Sequence, residues 1–291
     1  MAIRAQNSRH DREALGYGLP KTYEDLRAVL ASGSVRLPKR LRQVAVYLWQ
    51  HPSEVALGTV TSVAKNAGVQ PSTMVRFAQN LGYSGFSDLQ DVFKAYVKES
   101  WPEPRERASA VDGVRAPNDP NFHLVAGLVD ASVQSLGRVT ESVDRAQFAT
   151  VVKTLARANA IYLVGSKRAF PVTMYMSLAL SQLGIGNILV DNVGSTAFGQ
   201  IGCTAKRDAV LAVSFSPYNS ITPELAATAT QRGTPLVSIT DSAFSPLVPL
   251  SDAWIEVMES EFGGFRSMAA TIAVAMAVVL AVAKTRQGSS K

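Results

Sequence analysis

The side chains between Lys65 and Asn80 have the types and spacing to do chemistry on a polyanion. From Pro71 onward, at about 100° per residue, Met74, Phe77, Ala78 and Leu81 fall on one side of a helix. Ser72, Thr73, Arg76, Gln79 and Asn80 fall on the other side. That side offers hydroxyls, amides and one cation but no carboxylate, so phosphates approach it without repulsion. The Arg76 guanidinium has the fork that suits a guanine edge, a contact worth roughly 1–3 kcal/mol in discrimination. Gln70, Ser72, Thr73, Gln79 and Asn80 supply further base or phosphate contacts, and Lys65 helps to position a duplex.

A second polar set follows two apolar, strand-like runs. The run IYLVG ends in Ser166, Lys167 and Arg168, and the run AVLAVS ends in Ser214, followed by Phe215, Ser216, Pro217, Tyr218, Asn219, Ser220, Ile221 and Thr222. Hydroxyls and helix N-terminal amides at the carboxyl ends of strands make an anion site, and two cations strengthen it. The simpler alternative is capping of two helices by Ser and Thr. Two such loops, each at a strand-to-helix junction, favour a small anionic ligand.

Catalysis has less support. The three histidines, His10, His51 and His123, lie away from the strand ends. Glu224 sits in a first helical turn, where an acid is favourable for dipole reasons alone. Glu261, in ESEFGGF, is a conceivable base with no partner nearby in sequence. Cys203 ends a helix without a basic neighbour. There is no P-loop, no GxGxxG and no metal-spaced cluster, so no catalytic residue, metal or cofactor is expected.

The elements that must hold these residues can be read from the pattern. Thr59 is an N-cap, and Val60, Val63, Ala64 and Ala67 form one stripe at helical spacing. Gly68 suits a helix stop, and Pro71 suits the first position of the next helix. A small Ala64 at the crossing and an apolar Met74 locking the second helix complete the pattern of a DNA-binding helix-turn-helix. An ordinary helical hairpin is the alternative. Around it, residues 22–99 read as five helices: Tyr23–Ala31, closed near Gly33; Pro38–Gln50, with Leu41, Val44, Ala45 and Leu48 inward; the helix-turn-helix pair; and a last helix that Ser87 would cap.

Residues 100–121 contain four prolines and no periodicity, as a linker does. Residues 1–21 are polar and charged, a loose tail with no secretory signal. Beyond His123, helices at 122–137 and 145–158 precede strands at 161–165, 188–191, 209–214, 235–240 and 254–257. Helices at 169–183, 194–203, 222–232 and 264–284 intervene or follow. Apolar strands flanked by helices mean a doubly wound, five-stranded parallel sheet covered on both faces, over residues 122–287.

Composition narrows the class. At 291 residues the chain holds two domains, and its one cysteine excludes an internal disulfide and a Cys-rich zinc site. Residues 1–100 carry 13 Lys and Arg against 8 Asp and Glu, whereas residues 101–291 carry 16 against 15. The basic excess therefore lies with the helix-turn-helix, where a polyanion would bind. Met268–Ala283 is apolar apart from Thr271, yet its sixteen residues fall short of the roughly twenty that span a bilayer, so it reads as a buried helix with no membrane partner.

With these residues in view, the chain resembles the RpiR/MurR family of bacterial transcription regulators over roughly residues 22–285. LPKRLRQVAVYLWQHPSEVA and AKNAGVQPSTMVRFAQNLGYSGFSDL carry the N-terminal likeness. Thr240-Asp241 and Ser245-Pro246-Leu247 carry the likeness to the sugar isomerase (SIS) domain of such regulators. The resemblance implies a cytoplasmic repressor or activator. Its helical domain would bind double-stranded operator DNA, and its SIS domain would sense a phosphosugar without isomerising it. Ser166, Ser214 and Ser216 are the implied ligand contacts, with Ser220 and Thr222 near the next helix start. The implied assembly is a homo-oligomer, dimer or tetramer.

Three positions depart from the family pattern. Lys167 and Arg168 stand where a second glycine is usual, Pro217-Tyr218 follows Ser216, and Gln70 replaces a capping serine. The proline removes an amide that would bind phosphate, so a sugar acid or polyol joins the expected ligands. The competing function is a sugar-phosphate isomerase or lyase with an accessory helical domain. It requires a paired acid and base at the strand ends.

Overall fold

The structure is a computed structural model describing residues 19–31, 37–100 and 121–289. The chain divides into two compact units, Met1–Ser109 and Ala110–Lys291. Residues 1–18 of the expected tail over 1–21, the helix closure near Gly33 and residues 101–120 of the expected linker lie outside the described residues; at the end of that tail Pro20 is buried and its carbonyl accepts from the Tyr83 hydroxyl at 2.7 Å.

In the first unit the described helices are α1 (Tyr23–Ala31), α2 (Lys39–Gln50), α3 (Pro52–Leu57), α4 (Val60–Asn66), α5 (Pro71–Asn80) and α6 (Phe86–Ser100). Helix α3 is an addition to the sequence reading; its start is set by Pro52 at the first position, directly behind α2. The core is aromatic at its centre. The Tyr23 ring stacks on Trp49 at 4.9 Å and on Tyr96 at 3.7 Å, and meets Phe93 edge-on at 5.4 Å. Leu41, Val44, Ala45 and Leu48 are buried as expected, together with Trp49. Ser87 does not cap α6: it is exposed inside the first turn, and the Ser84 amide donates to Asp88 Oδ2 at 3.2 Å instead.

A polar knot ties α2, α3 and α4. Glu54 accepts from the Tyr47 hydroxyl and from Asn66 Nδ2 (3.2 Å), and pairs with His51 Nδ1 (3.2 Å). The tyrosine hydrogen bond leads in holding the Glu54 carboxyl below its usual range. Burial first, then Glu54, pushes Tyr47 up to about 12. A carboxyl lowered in the folded state stabilises the fold at neutral pH, and that contribution disappears as pH falls through the carboxylate range.

In the second unit the first described helices are α7 (Phe122–Ser142) and α8 (Arg145–Arg157). It continues with β1 (Ile161–Gly165), a one-turn 3-10 helix (Lys167–Ala169), α9 (Phe170–Gln182), β2 (Asn187–Val190), α10 (Ala197–Gly202), β3 (Ala209–Ser214), α11 (Ile221–Gln231), β4 (Leu236–Thr240) and β5 (Ala253–Glu256). The last elements are a small hairpin, β6 (Glu261–Phe262) and β7 (Phe265–Arg266), and α12 (Ala269–Ser289). The five strands are all parallel, in the order β2-β1-β3-β4-β5.

Alternate residues of each strand serve opposite faces. Leu163, Leu211, Val213, Val237 and Ile239 pack with α8, α9 and α12; Tyr162, Val164, Val210 and Ala212 pack with α10 and α11. Both faces are therefore closed, as a parallel sheet requires. Three expected helices differ in extent, the first being that drawn at 122–137, which runs on to Ser142. The one drawn at 194–203 begins at Ala197, because Asn192, Gly194 and Ser195 take positive φ. The one drawn at 264–284 begins at Ala269, because Gly263 and Gly264, at φ 59° and 73°, turn the preceding residues into the hairpin. Val274, Val278, Val279 and Val282 of α12 are buried as expected, whereas Leu280 is 63% exposed. By length and composition this helix is long and apolar enough to cross a membrane, and its valine face lies in the core.

Trp49 is 1% exposed and stacks on Tyr23 in the aromatic cluster. Trp49→Ala is expected to cost the helical unit about 3–5 kcal/mol, read in urea unfolding of the full chain, while the transition of the sheet-containing unit stays where it was.

Candidate DNA-reading helix and candidate ligand site

The turn between α4 and α5 is built from local hydrogen bonds. The Thr59 hydroxyl accepts from the Ser62 amide (3.2 Å) while Ser62 Oγ accepts from the Thr59 amide (2.9 Å), a reciprocal cap that starts α4. Gly68 ends it at φ 66°, and the Val69 amide returns to the Ala64 carbonyl at 2.9 Å. Gln43 of α2 donates to the Ala67 carbonyl at 2.9 Å, fixing the turn to the body of the unit. Pro71 occupies the first turn of α5, and Gln70 precedes it without a side-chain cap.

Helix α5 buries Met74, Phe77 and Ala78. Ser72, Arg76 and Gln79 are exposed, Thr73 and Asn80 are half-buried, and Gln70 and Lys65 are exposed beside them. The apolar side thus seats the helix, and the carboxylate-free side is left to solvent. Val60 is only half-buried, so the stripe on α4 is narrower than its spacing suggests.

In the second unit, β1 and β3 are neighbours although β2 lies between them in sequence. The chain leaves these two strands in opposite directions, the arrangement that in open parallel sheets places a crevice at the carboxyl ends. The Ser166 and Thr222 hydroxyls meet there at 3.0 Å. Asn219 Nδ2 donates to Ser166 Oγ, and Asn219 Oδ1 accepts from the Thr222 amide at 3.2 Å. Arg168, exposed, reaches across and donates to the Ser216 carbonyl at 3.1 Å. Lys167 is exposed with φ 52°. Ser214 and Ser216 are 5% and 1% exposed, and the Ser214 carbonyl accepts from Thr240 Oγ1 at 2.8 Å. Ser220 is exposed, directly ahead of α11.

The fold therefore brings Ser166, Arg168, Ser216 and Thr222 to one crevice, with Lys167, Ser214 and Ser220 on the same two loops. Four residues of this crevice escaped the sequence reading as site residues: Tyr218, Asn219, Asp241 and Arg266. Asp241, 1% exposed, accepts from the Ser216 amide (3.1 Å), the Tyr218 hydroxyl (2.6 Å) and Arg266 Nη1 (3.1 Å). Asp241 carried a signal, since it lies in the Thr240-Asp241 stretch; Arg266 carried none beyond its place after EFGGF. Glu261 has a partner after all, accepting from Arg266 Nε at 2.9 Å across the hairpin. Among the described residues no group of His, Cys, Asp and Glu could hold a metal ion.

Comparison with known proteins agrees with this architecture. The profile of the helix-turn-helix domain, rpiR family, matches residues 25–100, and that of the SIS domain matches residues 154–283. An uncharacterized HTH-type transcriptional regulator of Haemophilus influenzae is 25% identical over 74% of this chain and 74% of its own length. Among solved structures, the Vibrio vulnificus NanR protein, complexed with ManNAc-6P, aligns with a TM-score of 0.54 at 24% identity, covering 91% of this chain and 92% of that one. The sugar isomerase domain of the RpiR transcription factor from Sphaerobacter thermophilus aligns with a TM-score of 0.54 at 22% identity, over 57% of this chain and 92% of that one. The two folds, joined in this order, define a helix-turn-helix transcriptional regulator with a SIS domain. Residues 25–100 belong to the rpiR family of helix-turn-helix domains and residues 154–283 to the SIS domains.

Ser166→Ala deletes the oxygen shared by Thr222 and Asn219. The buried Thr222 and half-buried Asn219 left behind should lower the stability of the second unit by about 1 kcal/mol, measured as a shift in its urea midpoint with an unchanged m-value.

Proposed function

We propose that this protein binds an operator through α5 and is switched by an anionic carbohydrate metabolite held at the β1 and β3 crevice. The observation that carries the first half is the exposed, carboxylate-free side of α5, held out by a buried Met74, Phe77 and Ala78. Arg76 reads a base edge, Gln70, Ser72, Thr73, Gln79 and Asn80 supply further base or phosphate contacts, and Lys65 touches phosphate. In domain terms, residues 22–99 bind DNA, 100–121 link, and 122–287 sense. A cytoplasmic site of action follows from this role.

For the second half, Ser166, Lys167, Arg168, Ser214, Ser216, Ser220 and Thr222 are the proposed ligand contacts. The N-terminus of α11 and two exposed cations at one crevice favour an anion. A sugar phosphate and a sugar acid both carry that charge; NanR, in its complex with ManNAc-6P, makes that compound the first probe. The ligand acts by binding two conformations unequally. We assign the chain no turnover, because the Glu261 carboxylate that a base would need is paired with Arg266. Isomerisation of an aldose or ketose phosphate by the purified protein would reverse that assignment.

Palindromic reading requires two copies, and the second unit has surface to spare for association. Val125, Val129, Val133 and Leu136 of α7 are 41–61% exposed and recur at helical spacing on one side. Met174 and Leu178 of α9 are also more than half exposed. We infer that this apolar surface joins protomers into a dimer or tetramer.

Arg76→Ala is expected to lower operator selectivity about 5- to 150-fold in a gel-shift titration against non-operator competitor, with circular dichroism unaltered. Unchanged selectivity would overturn the assignment of α5, and repeating the titration with ManNAc-6P and with a sugar acid reads the effector. In light scattering, Val129→Glu with Val133→Glu should reduce the assembly by a whole protomer step; a wild-type monomer would remove the basis for two-fold reading.

A further inference from the structure

One buried carboxylate holds together three parts of the second unit that are far apart in sequence. Asp241, at the end of β4, accepts two hydrogen bonds from the 214–222 loop, from the Ser216 amide and the Tyr218 hydroxyl. It accepts a third from Arg266 in β7. Arg266 is itself 9% exposed, and its Nε pairs with Glu261, the residue opposite it in the hairpin. Taking one partner from such a pair leaves an unpaired charge in a nearly dry place, which the structure resists. The loop and the hairpin are therefore obliged to move together.

The hairpin in turn bears on α7. The Phe262 ring lies so close to Gly127 that a Cβ there would sit 2.2 Å from a ring carbon. The Ser260 amide donates to Ser135 Oγ at 2.8 Å, and the Ser267 and Ser132 hydroxyls meet at 3.2 Å. Ser135 is 0% exposed, so that contact is part of the packed interior. Helix α7 is the first described helix of this unit.

We propose that the Asp241–Arg266 pair is a clasp that transmits occupancy of the 214–222 loop, through the β6–β7 hairpin, to α7. It rests on the ligand reading above and deepens it by naming the route. An anion arriving at the loop competes with the Asp241 carboxylate for the Ser216 amide and places a second negative charge beside it. The loop then has two arrangements, clasped to Asp241 or turned to the ligand. The ligand shifts the balance because it favours the second. Asp241 and Arg266 are positioning residues here, acting through the loop and the hairpin.

Hydrogen exchange of the full chain tests the clasp. In Arg266→Gln without ligand, amides in both 214–220 and 122–136 are expected to exchange faster by roughly 2- to 30-fold, with the β1 amides 161–165 unchanged. Arg266→Lys, which keeps the charge but not the fork, should restore part of the wild-type protection in both segments. In the wild type, millimolar inorganic phosphate should alter both segments; in Arg266→Gln it should alter 214–222 alone. Unaltered exchange over 122–136 in Arg266→Gln would overturn the proposal, as would uniform acceleration across the unit.

If Arg266→Gln fails to fold, Phe262→Ala keeps the ion pair and removes the ring that packs on Gly127 of α7. It should loosen 122–136 and spare 214–220, and an unchanged 122–136 would be equally decisive against the clasp. Phosphate that leaves the wild-type 214–222 segment untouched would count against the anion site itself, while the ligand-free comparison still decides the clasp.

Discussion

A parallel sheet has no stable existence with an open face, and most of the second unit follows from that constraint. Strands such as IYLVG and AVLAVS are apolar on both sides, so helices must cover both. Covering both faces forces the chain to reverse its winding once, between β1 and β3. The reversal parts the loops that follow these strands and leaves a crevice. Ser166 and Thr222, fifty-six positions apart, share a hydrogen bond there because of a covering requirement imposed on valines and leucines elsewhere.

The helical unit answers a different demand. Its α5 must be anchored on one side and bare on the other. Met74, Phe77 and Ala78 anchor it, and Thr59, Gly68 and Pro71 set where each helix begins and ends. Gln43 then fastens the turn by its grip on the Ala67 carbonyl. None of these groups needs to touch DNA, yet together they set the direction in which Arg76 points. A basic surplus in the first hundred residues adds long-range attraction that is indifferent to sequence.

Charge is used sparingly in the second unit. Its buried ion pair, Asp241 with Arg266, does not lie on the sheet's apolar faces but at the rim where loops meet. A buried pair is a weak source of net stability, because both groups lose water. Its value is geometric: it ties a loop, a strand end and a hairpin into one body. Glu259 does similar work at the start of α12, where it accepts from the Thr271 amide and hydroxyl at 2.7 and 2.8 Å.

The sequence by itself determined the helix-turn-helix, because caps, the Gly68 turn and the Pro71 start act within a few residues and leave a local pattern. It also determined the five strands and their parallel class, since a run apolar on both faces admits few alternatives. Four of the site loop residues, Ser166, Arg168, Ser216 and Thr222, were legible as polar groups at strand ends. Only the tertiary structure decided strand order, and with it the meeting of those residues in one crevice. It alone revealed the roles of Asn219, Asp241 and Arg266, whose distant partners lie from 23 to 53 positions away. The hairpin in place of a helix start at 264 was likewise hidden, since two glycines permit several conformations and the packing of Phe262 on Gly127 selects one. Local rules show in local spacing, whereas a contact between distant segments exists only once the sheet has brought them together.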